Sequence, residues 1–190
     1  FNEQLKMTMN NMNSYLETKA ELFQKDEEVI ELLKKYKFEN TTNFNCIDKF
    51  KIGNKEYSTR YFRNASRINH LSKKFDFNKI FSYFEIGGGF GSNIHFLLTN
   101  FSNIKKVLYL DIVPNILIGT EYLRSFYGKS VKDYLDLRSL DKISFSNNNE
   151  LEILCIPPWE IEKFEGEIDH FYNTDSFVEM SEEIIENYSE

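Results

Sequence analysis

The sequence predicts an α/β fold: a parallel sheet flanked by helices, preceded by a mainly helical extension. Three observations carry this. The apolar run at residues 80–84 leads into Glu85-Ile86-Gly87-Gly88-Gly89-Phe90-Gly91-Ser92 and then into Ile94-His95-Phe96-Leu97-Leu98, which reads as buried strand, glycine turn and helix. A second apolar run, Val107-Leu108-Tyr109-Leu110, ends in Asp111, an interval that suits one helix and one strand. Two further runs, 151–156 and 168–172, stop at Pro157-Pro158 and at Asn173-Thr174-Asp175-Ser176, residues that end strands.

Taken in order, Met12, Tyr15, Leu16, Leu22 and Phe23 recur at helical spacing. Asp26 is the expected N-cap of a second helix with Val29, Ile30, Leu33 and Tyr36 on one face, and Lys34, Lys35 and Lys37 suit its negative end. Gly53-Asn54, between Phe50-Lys51-Ile52 and Glu56-Tyr57, signals a hairpin. Ser58 or Thr59 caps a helix reaching Leu71, with Tyr61, Phe62, Ile68 and Leu71 inward and Arg60, Arg63 and Arg67 on a solvated row. Asp76-Phe77-Asn78 marks a seam, which divides an extension at 1–75 from the sheet domain at 76–190.

Four of the 8 glycines fall within residues 87–91. Gly87, Gly89 and Gly91 permit positive φ and close approach of a ligand to the backbone, and the helix that follows presents free N–H groups. No Lys-Ser or Lys-Thr follows, so the turn is not a phosphate-binding P-loop. Gly87-x-Gly89-x-x-Ser92 lies close to the dinucleotide fingerprint and keeps a nicotinamide cofactor open. Glu85 argues the other way. A carboxylate there repels a diphosphate and suits a ligand with a cationic amino group, such as S-adenosylmethionine. A tight turn without any ligand is the plain alternative.

Asp111 is placed to accept from both ribose hydroxyls, in either cofactor. Pro114 is expected at the first position of the next helix, with Leu117, Ile118, Tyr122, Leu123 and Phe126 as its apolar stripe and Gly128 at its end. Residues 131–140 hold a turn or short helix, and 144–150 form a polar tip. Ile156 and Pro157 are expected to present an apolar rim to an adenine, and Trp159 to fill core, with stacking on the ligand as its alternative. Glu160, Glu162, Glu165 and Glu167 read as a solvated acidic face. Asn173 and Asp175 face the cofactor, with helix capping the competing role for Asp175. A last helix spans 181–188.

Composition sets further bounds. A net charge of −7 without a basic block argues against a broad nucleic-acid face. Cys46 and Cys155 lie far apart and read as buried thiols. No run is long enough for a membrane span and no leader pattern opens the chain, so a cytoplasmic location is expected. No metal-ligand spacing is visible.

Four segments together carry a resemblance: Phe84-Glu85-Ile86-Gly87-Gly88-Gly89-Phe90-Gly91, Tyr109-Leu110-Asp111-Ile112-Val113-Pro114, Cys155-Ile156-Pro157-Pro158-Trp159 and Phe171-Tyr172-Asn173-Thr174-Asp175-Ser176-Phe177-Val178-Glu179-Met180. In order and spacing, from about residue 60 onward, they resemble the sugar O-methyltransferases, a class I family dependent on S-adenosylmethionine. The resemblance implies a Rossmann-like sheet, longer than the one read here, so the domain is expected to be truncated after its fourth strand and the following helix. It implies cofactor binding by Glu85, Gly87, Gly89, Gly91, Asp111, Ile112, Ile156 and Pro157, with Asn173 and Thr174 beside the methyl group. Asp175 or Glu179 is the nearest candidate base for an acceptor hydroxyl. The expected acceptor is a sugar, a glycan or another small molecule, with no nucleic acid or membrane involved and a homo-oligomer compatible. A NAD-dependent oxidoreductase and a non-catalytic, truncated interaction module are the alternatives.

Overall fold

A computed structural model of the chain describes residues 26–44 and 49–188. The helix expected over 12–23 and Cys46 lie outside the described residues. The chain divides into two compact units between Phe75 and Asp76.

In the first unit, helix α1 (Glu27–Lys35) starts at Asp26, whose Oδ1 accepts from Glu28 N at 2.9 Å and Val29 N at 3.3 Å. Its buried residues are Val29 and Leu32, with Tyr36 buried just beyond. Ile30, expected inward, is exposed, because the 29–32–36 spacing turns residue 30 away from the core. Strands β1 (Lys49–Ile52) and β2 (Lys55–Ser58) form an antiparallel hairpin closed at Gly53-Asn54. Ser58 Oγ accepts Arg60 N at 3.2 Å and starts α2 (Thr59–Leu71). Leu71 is only half-buried, whereas Asn64 and Ala65 join Tyr61, Phe62 and Ile68 inside. Phe38, Phe50, Tyr57 and Phe62 form a ring cluster, with Phe38 stacked on Phe62 at 4.7 Å. The extension therefore has a core of its own, shared between helices and hairpin.

The second unit is built on strands β3 (Ser82–Ile86), β4 (Lys106–Leu110), β5 (Val131–Lys132), β6 (Glu152–Ile156) and β7 (His170–Asn173). Their order is β5-β6-β4-β3-β7 and every pairing is parallel. Between them run α3 (Ser92–Asn100), α4 (Asn115–Tyr127) and α5 (Tyr134–Leu137), and α6 (Glu182–Asn187) follows β7. This is an α/β architecture compatible with a Rossmann-like fold. The chain leaves β3 in one direction, to β4 and β6, and returns on the other side as β7. Strand order thus reverses between β3 and β7, where open sheets of this kind form their crevice.

Alternation sorts the strands onto two faces. Ile86, Leu108, Leu110, Leu154 and Ile156 point to one side, where Leu137 and Ile143 complete a buried cluster. Tyr83, Glu85, Tyr109 and Cys155 point to the other, under α3 and α4. The Cys155 thiol is fully buried there, and burial pushes it up to about 12.

Several expectations need correction. Residues 131–140 contain a two-residue strand as well as a short helix, since Val131 pairs with Ile153 at the sheet edge. Pro114 is the N-cap of α4 rather than its first residue, one position of difference at a helix end. Leu117 and Ile118 are exposed, and α4 instead buries Ile116, Gly119, Thr120 and Leu123. Trp159 is 61% exposed, its ring edge-on to Tyr134 at 6.2 Å, because the Pro157-Pro158 exit carries it off the sheet. Glu160 is buried beside Lys163 (2.8 Å), so it does not belong to the solvated acidic face. The polar tip at 144–150 is tied down: Lys106 Nζ, buried, reaches Asn148 Oδ1 at 3.0 Å and Glu152 Oε2 at 3.2 Å. Glu152 also accepts from Ser146 N and Oγ. Among the described residues no helix is long and apolar enough to cross a membrane.

Candidate functional site

The site is the carboxyl pole of the sheet, where β3 turns into α3. Gly87, Gly89 and Gly91 all have positive φ, at 71°, 59° and 84°. What surrounds each differs. A Cβ on Gly87 would lie 2.4 Å from Ser176 Cβ and Oγ, and one on Gly91 would lie 2.9 Å from Leu123 Cγ. Those two glycines admit neighbouring elements. A Cβ on Gly89 would meet nothing within 4 Å. Gly89 is where the turn opens outward and where a ligand can approach the backbone.

Strand β4 holds this turn from below. Asp111, at its end, takes Gly89 N on Oδ2 at 2.7 Å and Ile112 N on Oδ1 at 2.7 Å, with the Asn115 amide at 3.4 Å. Tyr109 OH donates to Gly89 O and also sits 3.2 Å from Asn115 O. Gly119 of α4 leaves the room for that phenol, since a Cβ there would be 2.3 Å from its oxygen. Burial raises the Asp111 carboxyl above its ordinary range, opposed by the Gly89 and Ile112 N–H groups and the Asn115 amide.

Glu85 sits on the inner side of the turn and is only 3% exposed. The sequence reading has it at the strand end beside the turn, facing a cationic ligand; the pleat turns it inward, on the Tyr83 side of the sheet. Its Oε2 accepts from Tyr83 OH at 3.1 Å and Asn93 Nδ2 at 3.0 Å. Its Oε1 accepts no hydrogen bond from the described residues and lies 3.1 Å from where a Gly88 Cβ would stand, directly under the turn. Burial lifts its carboxyl from 4.5 to about 7; the Asn93 and Tyr83 hydrogen bonds pull it down and the Asp111 charge pushes it up. The folded protein thus keeps this proton to about pH 7, whereas the unfolded chain loses it near 4.5. Folding is penalised as pH rises through that window, fully above 7, by about 3 kcal/mol.

The loop after β7 closes one side. Asn173 Nδ2 donates to Ile86 O at 3.1 Å and to Ser176 Oγ, and Asn173 Oδ1 accepts Phe177 N at 3.2 Å. Ser176, which sequence reasoning passed over, is the side chain that touches Gly87. Thr174 Oγ1 is buried with no hydrogen-bond partner among the described residues. Asp175 is exposed in a left-handed conformation (φ 72°), and Glu179 is exposed in the short turn Phe177–Glu179. The structure brings Asn173 against β3 and leaves Asp175 and Glu179 on the outer surface.

The expected adenine rim is divided. Ile156 and Pro157 are buried, Ile156 in the apolar cluster, so neither offers an open apolar face. Ile112 and Val113, leaving β4 beside Asp111, are exposed apolar side chains at this pole. Among the described residues no group of three or more His, Cys, Asp or Glu side chains could hold a metal ion. Comparisons with protein-family models, with curated proteins and with solved structures found no match.

Proposed function

We propose that this chain binds S-adenosylmethionine at the glycine turn and serves an O-methyltransferase acting on a sugar or glycan hydroxyl. One observation carries the reading: two carboxylates, Glu85 and Asp111, converge on the turn, and Asp111 already occupies the Gly89 N–H that a phosphate would need. A helix N-terminus ordinarily favours an anion. Here the field of the two carboxylates works against one and favours a cation.

The residues fit such a ligand. The open side of Gly89 admits it, Ile112 and Val113 offer apolar contact, and Asp111 Oδ2 retains a lone pair for a ribose hydroxyl. Glu85 lies one backbone layer below; a unit charge at ~7 Å interacts by about 2 kcal/mol at an effective dielectric of 20. S-adenosylmethionine, when bound, supplies an electrophilic methyl group. The chain's own contribution is positioning: Asn173 and Ser176 fix the β7 loop against β3, and Asp175, exposed on that loop, is the group assigned to take the acceptor's proton, with Glu179 next to it in sequence.

Thermal unfolding tests this. Millimolar S-adenosylhomocysteine should raise the melting temperature by several degrees and NAD should not. A shift with NAD alone would replace this reading with the oxidoreductase one, and silence with both would favour a non-catalytic module.

A further inference from the structure

The chain's net charge of −7 hides a division between its two units. From Lys49 to Phe75 the sequence carries eight Lys or Arg and a single acid, Glu56, whereas residues 76–190 carry nine Lys or Arg against twenty acids. The two groups of cations are also used differently. In the second unit Lys79, Lys106, Arg124, Lys142 and Lys163 each lie within 4.0 Å of a carboxylate. In the first, Lys49 meets Glu56 at 3.2 Å, while Lys51, Arg63, Lys73 and Lys74 are exposed and have no ion-pair partner among the described residues. Helix α2 concentrates this charge. Its buried residues Tyr61, Ala65 and Ile68 face the core, and Arg60, Arg63 and Arg67, three and four residues apart, line the opposite side. On the flank, Ser66 Oγ donates to Glu28 Oε1 at 2.7 Å and Lys35 Nζ donates to Asn69 Oδ1 at 2.5 Å. Helix α1 thus packs beside the arginine row, and Arg60 and Arg63 stay exposed.

Like charges three and four residues apart on a helix repel, and an anionic partner relieves that repulsion. The helical rise sets successive guanidinium groups about 5 Å apart along the axis, comparable with the repeat of a pyranose chain. Their planar forks match carboxylates. A single-stranded nucleic acid needs aromatic faces as well, on which its bases stack. Phe50, Tyr57, Tyr61 and Phe62, the rings around this row, are all buried. An anionic bilayer takes up apolar side chains set among the cations, and no exposed one separates the three arginines. We infer that the outer face of α2 binds a linear acidic glycan, with Arg63 at the centre of the row. Resting on the reading above, this makes carboxylated sugars the class of acceptor, and it gives the extension the task of holding the polymer.

Titration calorimetry on the intact chain tests this with polygalacturonate, set against neutral dextran, oligothymidylate and phosphatidylserine vesicles. Polygalacturonate should bind, with an affinity that falls as salt is added, and dextran should not. Arg63→Glu should weaken polygalacturonate at least tenfold. Lys129→Glu, the same reversal on an exposed lysine of the second unit, should change it less than twofold. Arg63→Gln, which removes the charge without reversing it, should give a smaller loss and serves should the reversal not fold. Absence of polygalacturonate binding, equal losses from the two reversals, or tighter binding of oligothymidylate or of the vesicles would overturn the inference. The cofactor reading is scored apart, by the melting shift with S-adenosylhomocysteine. Polygalacturonate binding through Arg63 without that shift keeps the glycan-binding face and removes the methyltransferase reading; the shift without polygalacturonate binding does the reverse.

Discussion

The two poles of the same sheet treat their carboxylates differently. At the amino pole the exposed Asp169 and the partner of the buried Lys106 are matched. Asp169 Oδ2 accepts the N–H groups of Phe81 and Ser82 at 2.8 Å each, Ser82 Oγ accepts Asp169 N, and these bonds hold the Asp169 carboxyl below its ordinary range. Lys106 has Glu152 and Asn148. At the carboxyl pole Asn93 Oδ1 and the Thr174 hydroxyl are buried with no hydrogen-bond partner among the described residues, and Glu85 is kept inside at a raised pKa. Satisfied networks rigidify a fold. Unpaired polar groups do not, and these sit where the strand order reverses. The difference teaches where this fold has been optimised for stability and where it has not.

The comparison can be broken first at the amino pole. Lys106→Met removes the cation from a pair whose side chains are 4% and 14% exposed and strands Glu152. A loss of about 3 kcal/mol is expected in urea unfolding, with S-adenosylhomocysteine affinity unchanged within twofold. An equal loss of affinity would mean that the poles are coupled.

Within the carboxyl pole, the glycines should separate. Gly87→Ala combines positive φ with a 2.4 Å clash against Ser176 and should cost about 3 kcal/mol. Gly89→Ala meets open space and should cost only about 1 kcal/mol, from backbone conformation alone. Yet Gly89→Ala should reduce S-adenosylhomocysteine affinity at least tenfold. A Gly89→Ala variant of normal affinity would show that no ligand approaches the turn there.

Glu85→Gln sharpens the contrast in the other direction. Glutamine can still accept from Tyr83 and Asn93 but carries no charge. The variant should be more stable than wild type by about 3 kcal/mol at pH 8, with the gain vanishing below pH 4.5. Paired denaturant curves at the two pH values check this. A destabilised variant at pH 8 would show that the carboxylate is structural.

How much of this was legible in the sequence follows from the range of each interaction. Strand–turn–helix order, the Asp26 and Ser58 caps and the Gly53-Asn54 hairpin are local, set by periodicity and by side chains two or three residues from the backbone they serve. The position of Asp111 at a strand end was readable for the same reason. What holds the glycine turn was not. Ser176 meets Gly87 across 89 residues of chain, and Leu123 meets Gly91 through a helix packed by the sheet's far half. Trp159 was misplaced because hydrophobicity alone says core, whereas the direction of the Pro157-Pro158 exit decides exposure. Glu160 was misplaced for the converse reason: its charge says solvent, yet it is buried beside Lys163. Glu85 was recognised as the discriminating residue, but its inward orientation depends on the register of β3 with β4 and β7, which no local pattern specifies.

The central claim is that a carboxylate under the glycine turn draws a cationic ligand, and the pH dependence of binding tests it most directly. Glu85 titrates near pH 7 in the free protein, with Tyr83, Tyr109 and Asp111 as the neighbouring titratable groups. A bound cation favours the ionised form, so binding should release a proton. By calorimetry, S-adenosylhomocysteine affinity should rise about tenfold from pH 6 to pH 8, as the ionised fraction of a group with pKa ~7 rises by that factor, and Glu85→Gln should abolish the dependence. Affinity that is flat or falls over this range, or a diphosphate cofactor that binds in its place and weakens as pH rises, would contradict the account.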